Sequence, residues 1–374
     1  MPPSRNAPCS CGSGRRYRRC CRDADRARAA LPQATDGVTV VRDASGRLLG
    51  RPFIDTEWQG QRARAVGSGL FLRPLAETNH EFFVHVLKHT LGPEWKTAQD
   101  ALPEDQRHPI VAWVDAWDAM RTGQAPALER REERAGVHSA EATGDLRSLI
   151  CIAYDAYTLR HSTLVSPGDP LVTRLGNRAE FPGVRYEIAI AAIFIRAGFQ
   201  LEWITDVARP RPEFVGRHAL TGTEVEVEAK SRNRPGLLGR GGDVPDRHTL
   251  TVDVEHLYRA ALEKQVDDGR PYVVSLELNL PPGDERPFQE RIEELHESVF
   301  APVERERPED VADPVSAVII TNLAWHWDGE ERARDSMTFL ARTLNVERPL
   351  PEVDAELLAE ALFQYGDVPE TAAS

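Results

Sequence analysis

Thr223-Glu224-Val225-Glu226-Val227-Glu228-Ala229-Lys230 alternates strictly between apolar and charged residues, the two-residue period of a β-strand. Val225, Val227 and Ala229 fall on one face, and Glu224, Glu226, Glu228 and Lys230 on the other. Taken alone, such a face is an ordinary solvated one. Its surroundings change the reading. Upstream, Arg211-Pro212-Glu213-Phe214-Val215 reads as a second short strand bearing a carboxylate, and the turn-prone Thr221-Gly222 lies between the two. Adjacent strands would bring Glu213 and Glu228 together, with Lys230 two residues further along the same face. Paired carboxylates invite a hard divalent cation, Mg²⁺ or Mn²⁺, which takes oxygen ligands and keeps several waters. A neighbouring ammonium can orient water or stabilise charge developing on a phosphate. Lysine is informative in this chain because only Lys88, Lys96, Lys230 and Lys264 interrupt an otherwise all-arginine set of cations. Arginine cannot supply a movable proton, so each lysine is a candidate for chemistry.

Working outward, Phe181-Pro182-Gly183 opens a helix over 182–196, with Ile188, Ala191, Ala192 and Ile195 at helical spacing and Gly198 as its stop. Strands follow at 199–205, 212–216 and 223–230, then a Gly/Pro/Arg-rich loop over 232–246. A helix at 253–267, a strand at 272–278, a helix at 285–299 and an apolar strand at 315–321 complete the series. The class is mixed α/β. This order resembles the PD-(D/E)xK nuclease superfamily, whose core runs helix, three strands, helix, strand, and the resemblance covers residues 182–278. It implies a three-layer α/β/α, restriction-endonuclease-like core within 181–325. Pro212-Glu213 takes the Pro-Asp position, with Glu for the usual Asp, and Glu228-Ala229-Lys230 takes the (D/E)-x-K position. Glu187, in Arg185-Tyr186-Glu187, matches the acid often found on the first helix, and Lys264-Gln265 matches the Lys or Gln often found on the second. The resemblance therefore implies Glu187, Glu213, Glu228 and Lys230 as the catalytic set, with magnesium or manganese on Glu213 and Glu228, hydrolysing nucleic-acid phosphodiesters. In the following loop, Arg232, Arg234 and Arg240 either contact backbone phosphates from a mobile lid or belong to an exposed flexible loop.

At the N-terminus, Cys9 and Cys11, then eight residues, then Cys20 and Cys21 have the spacing of a tetrahedral four-thiolate zinc site. Gly12-Ser13-Gly14 lets the chain turn back. A segment this short has no core, so the metal would supply its folding energy. Residues 8–21, from Pro8-Cys9-Ser10-Cys11-Gly12-Ser13-Gly14 to the Cys20-Cys21 pair, resemble the SEC-C motif, first known as the zinc-binding tail of the bacterial preprotein translocase motor. There the motif docks to an acidic protein. Residues 1–28 carry eight Arg against Asp23 and Asp25, so this module suits an acidic protein partner or phosphate.

The alternative to a nuclease is a non-catalytic adaptor: the zinc module docks to a protein or nucleic-acid partner and the α/β domain is an inactive scaffold. The remaining boundaries are expected at 1–24 for the zinc module, 37–75 for a small β-rich segment, 76–180 for a mainly helical segment and 326–374 for a helical extension with a disordered tail. Thr78 caps a helix carrying Phe82, Phe83, Val86 and Leu87, further helices are expected near 107–121 and 144–161, and 123–136 reads as loop or loose helix. His85 and His89, spaced for zinc but without an HExxH pattern, read as packing residues, as do Trp325-His326-Trp327-Asp328 and the lone Cys151. The net charge of −13 argues against a generic nucleic-acid coating protein. With no apolar run long enough to span a bilayer and no secretory leader, a cytoplasmic protein is expected. P-loop and serine-esterase signatures are absent from the sequence.

Overall fold

The computed structural model describes residues 40–122, 130–134, 137–204, 211–266, 269–282, 288–308, 310–343 and 345–369. All belong to one of the chain's two units, Val40–Ser374; Cys9, Cys11, Cys20 and Cys21, expected to bind zinc, lie outside the described residues. Strands β1 (Ile54–Trp58), β2 (Gln61–Val66) and β3 (Gly69–Arg73) form an antiparallel meander. β4 (Arg130–Arg134), within the stretch 123–136 that the sequence suggested as loop or loose helix, pairs antiparallel with β5 (Val137–Ala140).

The main sheet has six strands: β6 (Phe199–Trp203), β7 (Phe214–His218), β8 (Glu224–Ser231), β9 (Tyr272–Glu277), β10 (Ala317–Asn322) and β11 (Met337–Arg342). They lie side by side in chain order. β6 to β8 are antiparallel, β9 and β10 run parallel to β8, and β11 closes the far edge antiparallel to β10. A parallel step needs a crossover, and the helix Glu255–Leu262 supplies the one from β8 to β9. That helix, Phe288–Leu295 and the π-turn His296–Phe300 cover one face, against Val274, Leu276, Val318 and Ile320. The helices Gly144–His161 and Phe181–Arg196 cover the other, against Val225, Val227, Ala229, Val273 and Ile319.

Helix Phe181–Arg196 has Pro182 in its first turn, where a missing N–H costs nothing, and ends before Gly198. Gly198 adopts φ +99°, a conformation that favours glycine, and a Cβ there would stand 3.2 Å from the His218 ring. A buried brace joins this helix to its neighbour. Arg196 Nη2 donates to Asp155 Oδ1 at 2.6 Å, the Tyr365 hydroxyl donates to Asp155 Oδ2 at 2.6 Å, and the guanidinium lies 4.0 Å over the Tyr154 ring. Thr78 caps its helix as expected, with a reciprocal bond to Glu81.

Two expectations are corrected at the C-terminal end. Segment 326–374 is not simply helical: it supplies edge strand β11 before the helix Glu352–Phe363. Of the expected disordered tail, the part up to residue 369 is packed, with Val368 in the main core, and residues 370–374 lie outside the described residues. On that last helix Asp354 sits 2.8 Å from His218 Nδ1, both side chains fully buried, which ties the helix to β7.

Candidate functional site

β8 lies in the middle of a sheet covered on both faces, so its charged side is not a solvated one. Glu226 is 2% and Glu228 0% exposed. Phe214 pairs with Val227, so one step back along β7 Glu213 stands level with Glu228, and the Glu213 N–H donates to the Val227 carbonyl at 2.9 Å. The adjacency expected from sequence is thus present in the register. Lys230 follows on the same face, its Nζ 2.5 Å from Glu228 Oε1.

The remaining cation comes from the opposite layer. Lys264, in the turn after helix Glu255–Leu262, places its Nζ 3.2 Å from Glu213 Oε1 and 2.9 Å from Glu228 Oε1. One ammonium therefore bridges acids on two chain segments. Burial opposes charge on Lys264, but the Glu213 and Glu228 carboxylates outweigh it and hold its pKa above the ordinary lysine value. Burial pushes Glu228 up, Glu213 adds to the push, and the two lysines pull it back only in part. Gln265 points elsewhere and donates to the Pro314 carbonyl.

Glu187 projects from helix Phe181–Arg196 and is 7% exposed. Its two oxygens accept from Arg174 Nη1 and Nη2 at 2.9 and 2.8 Å, a bidentate pair. Burial raises the Glu187 pKa, and the nearby Glu213 charge raises it further, against the pull of Arg174. Arg174 is the residue that sequence reasoning missed. It stands on the short helix Pro170–Leu175, 13 residues before Glu187 in sequence with no motif around it, and the packing of that helix against Phe181–Arg196 brings it here.

Both Glu228 oxygens are buried without a well-aligned hydrogen bond, despite the two ammonium groups nearby. Such a carboxylate is chemically suited to a hard cation. Among the described residues no group of three or more His, Cys, Asp or Glu could hold a metal ion.

The loop after β8 is packed rather than free. Leu237 and Leu238 are buried, and Leu237 joins Ala324 and Trp327 in a small cluster. Arg234 corrects the expectation of a phosphate contact: it is 5% exposed, its Nε donates to the Asn279 carbonyl at 2.6 Å, and its Nη2 donates to Asp253. Arg232 also pairs with Asp253, at 2.8 Å, and Arg240 is exposed. Trp327 and His326 both bond Asn279 Oδ1, in keeping with a packing role.

A cavity of about 300 Å³ lies elsewhere, lined by Arg73, Glu81, His85, Lys88, Trp117 and Arg121 among others. Burial and the Arg73 charge push His85 down to about 4, so it is neutral at pH 7. The rings of His85 and His89 pack against Phe71, as a packing role requires.

Residues 5–23 match the SEC-C motif family. The chain therefore carries a SEC-C segment that contains Cys9, Cys11, Cys20 and Cys21, outside the described residues. No curated protein and no solved structure shows detectable similarity to the chain. The cysteine outside the SEC-C segment, Cys151, is buried, and burial pushes its thiol up to about 12, so it is a core residue. No described helix is long and apolar enough to cross a membrane.

Proposed function

We propose that the α/β unit is a divalent-metal-dependent phosphodiesterase acting on nucleic acid, and that the SEC-C segment binds one structural zinc through Cys9, Cys11, Cys20 and Cys21. The observation that carries the first part is the convergence of Glu213, Glu228 and Lys230 from neighbouring strands on one sheet face. An order of helix, antiparallel meander, crossover helix and parallel strand like that of the PD-(D/E)xK nucleases supports it. Glu213 and Glu228 would hold a cation of magnesium or manganese size, which when bound supplies positive charge to a phosphodiester. The chain's own residues do the rest. Lys230 Nζ, anchored on Glu228, orients the attacking water or donates to a phosphate oxygen. Glu187, fixed by the Arg174 fork and within electrostatic reach of Glu213, adds a carboxylate that can accept a hydrogen bond from water. Exposed Arg240 and the basic N-terminus supply contacts to backbone phosphate.

The test incubates the full chain with single- and double-stranded DNA and RNA plus Mn²⁺, beside Lys230→Ala and Glu228→Gln. Both substitutions are expected to lower cleavage by about a hundredfold or more. Cleavage that survives Lys230→Ala overturns the mechanism. The adaptor reading has one observation in its favour, the Lys264 amine between the two acids. Nucleic-acid or protein binding without cleavage of any substrate would decide for it.

A further inference from the structure

We propose that Lys264 is a displaceable internal counter-ion: its ammonium, which joins Glu213 to Glu228, must withdraw before a divalent cation binds there. This rests on the metal-site reading above and adds a competitor to it. Lys264 contacts both acids, whereas Lys230 contacts Glu228. The position bridging Glu213 to Glu228 is the one a shared cation would take.

Two physical demands make the exchange either-or. Glu228 is fully buried and stands level with Glu213, and two adjacent carboxylates sharing the Lys230 ammonium alone would be strongly unfavourable, so without a divalent ion the fold needs Lys264 as the second cation. Conversely, two acids (Glu213, Glu228) already face two cations (Lys230, Lys264), so a divalent ion added with Lys264 in place would leave two excess positive charges in a half-buried site. Withdrawal is sterically open. The Lys264 side chain is 24% exposed, follows the helix in a turn, and carries a compact charge on a flexible four-carbon stem. Arginine, planar and forked, would clamp two carboxylates and release them less readily.

The experiment titrates Mn²⁺ into zinc-loaded full-length protein and follows free Mn²⁺ by electron paramagnetic resonance, for wild type, Lys264→Met, Lys264→Arg and Glu228→Gln. Lys264→Met is expected to bind Mn²⁺ about tenfold tighter or better. Lys264→Arg should bind no tighter than wild type, and Glu228→Gln should lose the site. Thermal unfolding gives an independent reading: Lys264→Met should melt lower than wild type without Mn²⁺ and gain more from its addition. If Lys264→Met folds only with Mn²⁺, that rescue supports the exchange. If Mn²⁺ binds wild type and Lys264→Met equally and Glu228→Gln abolishes it, the counter-ion proposal fails and the metal site stands. If no variant shows Glu228-dependent binding, both fail.

Discussion

Asp155→Ala tests how the scaffold behind the site is held. The substitution removes the acceptor for Arg196 Nη2 and for the Tyr365 hydroxyl, both at 2.6 Å, and strands a guanidinium whose side chain is 6% exposed. Breaking one side of a buried ion pair costs about 3–5 kcal/mol, because the surviving charge keeps its desolvation penalty. The Arg196 stack over Tyr154 survives and softens the loss, while the orphaned Tyr365 hydroxyl deepens it. We expect about 4 kcal/mol by urea unfolding, or a melting temperature roughly 8 °C lower for a unit this large. The control is Asp155→Leu with Arg196→Met, which removes both charges and fills the space. It should recover most of the loss, since apolar replacement of a buried pair is often neutral. A loss below about 1 kcal/mol in Asp155→Ala, or a double variant no better than the single one, refutes the view of this brace as a desolvated ion pair.

Three further outcomes follow from the geometry. Burial raises the Glu277 pKa, with Arg185 opposing, so this group's contribution to stability is full below its ordinary value of 4.5 and declines as pH rises through the raised folded value. Glu277→Gln should therefore stabilise the fold more at pH 8 than at pH 5, and a pH-independent difference in unfolding free energy would contradict the shift. Purified protein should carry about one zinc per chain by elemental analysis, and Cys20→Ser should lower that content; full zinc in the variant would remove Cys20 from the site. Arg234→Ala should destabilise by about 1–3 kcal/mol, since it leaves the Asn279 carbonyl and Asp253 short of a donor, while Arg240→Ala should leave stability unchanged and weaken nucleic-acid binding. Equal stability of the two variants would reverse that division of roles.

What was legible in the sequence was what chain-local physics writes there. Strict alternation over 223–230 and Pro182 with Gly198 at the ends of an apolar helix leave a local mark, and the structure places β8 and helix Phe181–Arg196 accordingly. The SEC-C segment is legible for the same reason, since its cysteines are spaced along one short stretch. What failed depends on coverage. Met337-Thr338-Phe339-Leu340-Ala341-Arg342 is half-buried at nearly every position, so edge strand β11 carries no two-residue contrast to detect. Taken alone, the charged face of β8 reads as solvated, because nothing in its own residues announces the helix that covers it; only the neighbouring segments change that reading. Arg234 looked like a surface cation for the same reason, until the Asn279 carbonyl and Asp253 appear around it.

The rarity of lysine was the most useful clue to the site, and the structure sharpens it. Lys88 and Lys96 pair with Asp118 and Asp100 on the surface, where arginine would serve as well. Lys230 and Lys264 meet on one buried carboxylate. A chain whose cations are otherwise arginine, and that places half its lysines on a single glutamate, gains there two properties arginine lacks: a compact charge and a flexible stem. A purely structural neutralisation of Glu228 would be served by one arginine, forked and bidentate, as Arg174 does for Glu187 a few residues away in space. Two different solutions to the same electrostatic problem, side by side, argue that Glu187 is held permanently while Glu213 and Glu228 are held exchangeably.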